Sequence, residues 1–476
     1  MLTMACAALT ACAGLGPDAQ NLKPIEHVAL APTPAGIAQT VDAWPENEWW
    51  LAYADAQLNR LMQRALANNP TLATAQARIA QAQAASDFNR AAERPQLAVG
   101  ADISYGRQSE NYLVPPPPIG PGGEYVSQGQ AALSFGYELD LWGKNAALIR
   151  SAEAQVKAAT YEREAARLAL TTSVARAYAQ LAAQYELQDI LLATERQRQE
   201  IRRLVEQRVA SGLDTRVEAK QAETNEAALR IELEQLATAL KVTRLQLASL
   251  VGDMPENAAA IERPALAATP FTVPATLPLD LLGRRPELAA QRARIAAALG
   301  ETEAAKAQFY PNVNLNALIG YQAIGIGNLF KAGSQMSSIG PAIRLPIFDG
   351  GRLRANYAMK SSGIDIAVAQ YNQSVLAAAQ DVSEQLTRLA DLAREEAATR
   401  EALAAAEEAH RLATLRYKGG LSTYLTVLTV ETQLLTQRRA LSNLTARKED
   451  LHIALVRALG GGFTESGSAQ ALASRH

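Results

Sequence analysis

Pro95-Gln-Leu-Ala-Val-Gly-Ala-Asp-Ile-Ser-Tyr105 alternates without a break. Leu97, Val99, Ala101, Ile103 and Tyr105 fall on one face, and Ala98, Gly100, Asp102 and Ser104 on the other. A period of two predicts a β-strand with one apolar and one polar side. A polar, Pro- and Gly-rich stretch follows, with Pro115 to Pro118 and Gly120, Gly122 and Gly123. A second alternating segment then sets Leu133, Phe135, Tyr137, Leu139 and Leu141 against Ser134, Gly136, Glu138 and Asp140. Upstream, residues 71–92 are rich in Ala and Gln and read as helix, ended by Pro95. Downstream, residues 144–209 contain neither Gly nor Pro. As one helix they extend about 100 Å at a rise of about 1.5 Å per residue.

The same order occurs twice. Asn69-Pro70 and Ala77-Arg78-Ile79-Ala80 recur 216 positions later as Arg285-Pro286 and Ala293-Arg294-Ile295-Ala296, and Pro95 recurs as Pro311. Further on the offset is 208: Ser211-Gly212-Leu213-Asp214-Thr215 matches Gly419-Gly420-Leu421-Ser422-Thr423, and Val251-Gly252 matches Leu459-Gly460. The second copy repeats the strands with Val313, Leu315, Ala317, Ile319 and Tyr321, then Ile339, Ile343, Leu345 and Ile347. Its long helix runs from Arg352 to Lys418, interrupted only by Gly363. Each long helix ends at a Gly turn, from which a helix of about 39 residues returns. Helices of this length need coiled-coil-like neighbours. The boundaries read as an N-terminal leader over 1–12, an extended segment over 13–56, copies over 57–252 and 276–462, a Pro-rich linker over 253–275 and a disordered tail over 463–476.

Composition agrees with a mainly helical chain. Of 476 residues 96 are Ala, the strongest helix former, and only 5% are aromatic. With 46 Lys and Arg against 48 Asp and Glu, the net charge of -2 gives no pull toward nucleic acid. No run of 18 apolar residues is present for a transmembrane helix. The strands, however, have the length and the two-sided character of membrane β-strands. Four strands cannot close a barrel, and an open edge in lipid leaves backbone groups unsatisfied. Several chains must then share one barrel, and three would supply twelve strands. A soluble hairpin packed on helices explains the alternation equally well, but not its attachment to helices this long.

Cys6 and Cys12 are the only cysteines. Leu9-Thr10-Ala11-Cys12 closes an apolar, small-residue segment and resembles the end of a bacterial lipoprotein signal, with Cys12 as the acylated residue. No Lys or Arg precedes that segment, which departs from the usual pattern and suggests a truncated leader. An ordinary secretory signal is the alternative.

Three blocks carry a wider resemblance over residues 44–461. The first is Trp49-Trp50, Tyr53, Asp55, Leu58, Leu61, Ala65-Leu66 and Asn68-Asn69-Pro70. The second is Leu281-Leu282-Gly283-Arg284-Arg285-Pro286-Glu287-Leu288 with Ala296-Ala297-Ala298-Leu299-Gly300 and Phe309-Tyr310-Pro311. The third is Leu345-Pro346-Ile347-Phe348-Asp349-Gly350-Gly351. Together they resemble the outer membrane efflux proteins, the TolC-like channels, and within them the NodT-type lipoprotein branch. The resemblance implies a homotrimer with a twelve-stranded transmembrane β-barrel and a periplasmic α-barrel of long antiparallel hairpins. It implies one water-filled tunnel, docked to a periplasmic adaptor and an inner-membrane resistance-nodulation-division (RND) pump, with outer-membrane lipid around the barrel. The two Gly turns, Gly212-Leu213 and Gly420-Leu421, become the periplasmic tips that meet the adaptor.

In the family a Tyr and an Arg near one tip bond an acid near the other and hold the entrance closed. Tyr417 matches the Tyr, and Glu218, six residues past Gly212, matches the carboxylate. Thr429 stands where the family often has a constriction aspartate, and Leu425 matches a hydrophobic ring position. Glu431 is two residues off, about 200° around the helix. Asp102, Glu138 and Asp140 read either as lumen lining or as solvated charges near turns. Tyr105, Phe135 and Tyr137 read either as an interfacial girdle or as packing residues. No P-loop, His-Glu-x-x-His, Met cluster or catalytic constellation is present, so no cofactor, metal or enzymatic role is expected. Two alternatives stand beside the efflux channel: a type I secretion channel of the same fold, and a non-conducting periplasmic coiled-coil scaffold.

Overall fold

The computed structural model describes residues 22–26, 39–40, 44–111, 115, 117–267, 273–274 and 283–465. Cys12 and the leader lie outside the described residues. In chain order the elements are α1 (Ala56–Asn68), α2 (Pro70–Arg90), β1 (Gln96–Arg107), β2 (Tyr125–Leu139), α3 (Lys144–Ala210) and α4 (Arg216–Leu250). Then come α5 (Pro286–Ala307), β3 (Asn312–Ile324), β4 (Gln335–Arg344), α6 (Arg352–Lys418) and α7 (Tyr424–Ala458). Short 3-10 turns cover Trp49–Tyr53 and Pro255–Ala260, and Gln39–Thr40 pairs in parallel with Val273–Pro274.

The two long helices have 67 residues each and the two returning ones 35, so the copies match in length as well as in order. Gly363 does not break α6. The second strand of each copy differs from the alternation. β2 begins at Tyr125 and stops before Leu141, because the Asp140 carboxylate accepts from the Ala146 N–H at 2.8 Å and starts α3. β4 stops at Arg344, and Leu345 and Ile347 lie in the turn to α6, where Asp349 accepts from the Gly351 and Leu353 N–H groups.

All four strands form one antiparallel sheet in the order β1-β2-β3-β4, joining the hairpins of the two copies at β2-β3. Register keeps the faces apart. Leu97, Phe135, Ala317 and Ile339 form one cross-strand row, while Asp102, Gln130 and Gln322 form another on the opposite face. The apolar face is open: Val99 is 80% exposed and Ile339 77%. Neither β1 nor β4 has a second partner strand among the described residues.

Two compact units draw on both copies. One includes Ile79–Ala159 and Gln291–Gln370, and so contains the sheet. Here α5 crosses α3 so closely that a Cβ on Gly300 would lie 2.8 Å from the Ala147 carbonyl oxygen. The other includes Thr160–Ala290 and Tyr371–His476. Its largest core gathers Trp49, Trp50, Tyr53, Leu58 and Met62 around Val174, Tyr178, Leu181 and Leu247. Asp55 organises this region. Its carboxylate caps α1 through the Gln57 and Leu58 N–H groups, and it also accepts from the Tyr178 hydroxyl and the Ala265 N–H, both at 2.8 Å. Burial pushes the Asp55 carboxyl up, but these donors more than offset it and hold it below its ordinary value. Burial pushes the nearby His452 down to about 4, so it meets the Tyr53 hydroxyl, 3.0 Å away, as a neutral ring. Phe463 is buried edge-on against Tyr161, so the expected tail begins with a packed residue.

Candidate functional site

The two hairpin tips are built alike. Both long helices close with a 6→1 bond, from Leu213 N–H to Arg208 C=O and from Leu421 N–H to Arg416 C=O, each 2.8 Å. This closure needs a left-handed residue just past the helix, which Gly212 (φ 69°) and Gly420 (φ 73°) supply. Leu213 and Leu421 are exposed at the turns.

The tips then diverge. Arg208 stacks over the Tyr417 ring, 4.8 Å from its centroid, and donates from Nε to Asp214 Oδ2 at 2.9 Å. Its Nη1 reaches the Tyr417 carbonyl at 3.3 Å. The Tyr417 hydroxyl donates to the same Asp214 oxygen at 2.5 Å. Three side chains from both hairpins thus close one charge-assisted cluster. Burial pushes the Asp214 carboxyl up, but the Arg208 guanidinium and the Tyr417 hydroxyl hold it below its ordinary value. Burial, joined by the neighbouring carboxylate, pushes the Tyr417 hydroxyl well up.

The partner of Tyr417 is therefore Asp214, which corrects the expected pairing with Glu218. Glu218 is spent locally: its Oε2 accepts from the Thr215 N–H at 2.9 Å, while Thr215 caps Val217. That is a capping box, and it holds the carboxylate at its own helix start. Of the two missed residues, Asp214 had a signal in the duplication: at the 208 offset it aligns with Ser422, and Tyr417 aligns with Val209, so both stand where the copies differ. Arg208 aligns with Arg416 and carried no such signal.

Leu425 is 58% exposed, and Thr429 lies on the same exposed side of α7 with its hydroxyl donating to the Leu425 carbonyl. Thr432 and Thr436 continue that side with the same back-bonding. Glu431 points the other way, 2% exposed, and bonds Arg198 at 2.6 Å. Ile201, Val205, Ala222, Tyr424 and Val427 are buried in one apolar cluster with Tyr417, whose ring centroid lies 6.2 Å from that of Tyr424.

In the sheet unit, Glu138 pairs with Lys144 at 2.5 Å and accepts from Asn312, and Asp140 caps α3. Both are tied into local structure, whereas Asp102 stays on the polar face opposite Gln130. Tyr105 stacks on Tyr125 at the loop end of β1 and β2, and Trp142 stacks on Tyr310 at the helix end of the sheet. No group of His, Cys, Asp or Glu suited to a metal ion occurs among the described residues.

The outer membrane efflux protein family model matches residues 61–253 and 277–461. The multidrug resistance outer membrane protein MdtP of Shigella flexneri is 33% identical over 453 residues, covering 93% of this chain and 91% of that protein. The crystal structure of the outer membrane protein VceC from Vibrio cholerae has a TM-score of 0.82 at 39% identity, covering 88% of this chain and 100% of that one. The Campylobacter jejuni CmeC outer membrane channel has a TM-score of 0.84 at 21% identity, over 97% of this chain and 98% of its own, a likeness of fold. With both copies matched and relatives aligned over nearly their whole length, the chain belongs to the outer membrane efflux protein family.

Proposed function

We propose that this chain is the outer-membrane channel of a tripartite RND-type efflux system, a homotrimer that conducts small molecules passively from a periplasmic adaptor and pump to the exterior. The observation that carries the reading is the four-stranded sheet. It has one exposed apolar face, one polar face and unpaired edges among the described residues. Three such sheets close a twelve-stranded barrel, with lipid against Val99 and Ile339 and water against Asp102 and Gln130. The long hairpins continue the tunnel, and energy comes from the pump.

At the entrance, the Arg208–Asp214–Tyr417 cluster is the latch, and Leu213 and Leu421 at the tips meet the adaptor. A ring of Leu425 backed by Thr429 gates by size and dewetting. Glu431, turned inward, supplies no acidic ring there. Cys12 carries the lipid anchor.

The mass of the protein extracted in mild detergent tests the reading. A trimer is expected, and a detergent-independent monomer would sink it. Drug susceptibility of a deletion strain then separates efflux from polypeptide secretion: sensitisation to small molecules is the expected result.

A further inference from the structure

Glu431 is the only charged side chain between Tyr424 and Gln437, and α7 turns it inward. The Arg198 and Glu431 side chains are 14% and 3% exposed. Arg198 also donates from Nη1 to the Asn225 carbonyl at 2.7 Å. One guanidinium therefore joins α3, which carries it, to α7 through Glu431 and to α4 through Asn225. Gln197 beside it meets His410 of α6 at 2.8 Å. All four helices are tied at this level.

A buried ion pair is a poor source of net stability, but removing one partner strands the other charge. The contact is therefore close to all-or-none, unlike an apolar seam that can slide. Arg198 precedes Arg208 by ten residues, about 15 Å of helix. Between them lie Ile201 and Val205, packed against Tyr424 and Val427. The tip latch adds its polar contacts to the buried ring of Tyr417, whereas the Arg198 pair and the neighbouring Gln197–His410 contact tie four helices at one level.

We infer that the Arg198–Glu431 pair is the fulcrum of entrance opening: it keeps α7 on α3 and α4 while the tip beyond it swings, and so limits the largest cargo that passes. The inference rests on the channel reading. A swing of about 20°, the scatter found among crossing angles of packed helices, about an arm of about 15 Å moves the tip by about 5 Å. Both residues are positioning residues, since neither lies on the exposed stripe of Leu425, Thr429 and Thr432.

The test uses the full-length protein in planar bilayers, reading conductance and the size of polyethylene glycol that blocks or passes. Tyr417→Phe with Asp214→Asn releases the latch and is expected to raise conductance to a plateau with a defined polymer cut-off. Adding Glu431→Gln is expected to raise conductance at least twofold again and to move the cut-off to larger polymers. Glu431→Gln by itself is expected to change conductance less than twofold, because the latch still holds. As a second measurement, Arg198→Cys and Glu431→Cys are cross-linked in the latch-released protein, and conductance is expected to stay at the plateau. An unchanged cut-off after adding Glu431→Gln, or a cross-link that closes the released channel, overturns the inference. If every form is indistinguishable from a protein-free bilayer, the channel reading fails and the inference with it.

Discussion

Replacing Tyr417 by Phe isolates one bond of the proposed latch. The ring is fully buried, and Phe fills the same space, so packing is retained. What is lost is a hydroxyl that donates to Asp214 at 2.5 Å. A hydrogen bond to a charged acceptor contributes about 1.5–3 kcal/mol. The lower figure applies, because Asp214 keeps Arg208 at 2.9 Å and some solvent access. About 1.5 kcal/mol shifts the closed-to-open ratio roughly tenfold per subunit. If three subunits open together, the shift is about a thousandfold. Asp214→Asn is expected to act more strongly, since it leaves a half-buried guanidinium without its counter-ion. The assay is single-channel conductance in planar bilayers, with uptake of a large, normally excluded antibiotic as the cellular readout. Both should rise in Tyr417→Phe and rise further in Asp214→Asn. An intact trimer whose conductance is unchanged in both variants would refute the assignment of this cluster as the latch.

Thr215→Ala removes the cap of α4 but no bond between hairpins. It should lower heat stability by about 1 kcal/mol while leaving conductance near wild type, as calorimetry beside bilayer recording would show. The latch should be insensitive to pH between about 5 and 9. Asp214, whose carboxyl is depressed, contributes fully above its unfolded value of about 3.9 and is lost only as pH falls further. Tyr417, whose hydroxyl is raised, contributes fully below about 10 and is lost as pH climbs through its folded value. Conductance that doubles between pH 7 and pH 5.5 would contradict this. Gly252→Ala should cost about 2–4 kcal/mol, since the residue has φ 76° and its Cβ would sit 2.7 Å from the Asn68 carbonyl oxygen. A thermal melt unchanged from wild type would count against that packing.

Much of the architecture is legible in the chain because its causes are local. Alternation over Leu97 to Tyr105 specifies a strand by period alone, and the Gly- and Pro-free runs before Gly212 and Gly420 specify long helices. The limits of β2 and β4 were not legible, because Asp140 and Asp349 end the strands by capping the helices that follow, against an alternation that continues past them.

The duplication, the two-sided strands and the tip turns were determined by sequence, since each depends on neighbours within a few residues or on a repeat visible along the chain. The bonding partner of Tyr417, the direction of Glu431 and the joining of the two copies at β2-β3 were decided only by tertiary structure. Tyr417 meets Asp214 across 203 positions and Arg198 meets Glu431 across 233. Glu218 lies only four residues past Asp214, and both are carboxylates near the same Gly turn. Only the capping box that engages Glu218 at its own helix start leaves Asp214 for the tyrosine. Spacing along a helix says which residues share a face, but the choice between facing carboxylates depends on which is already bonded and which the packed helices bring within 3 Å.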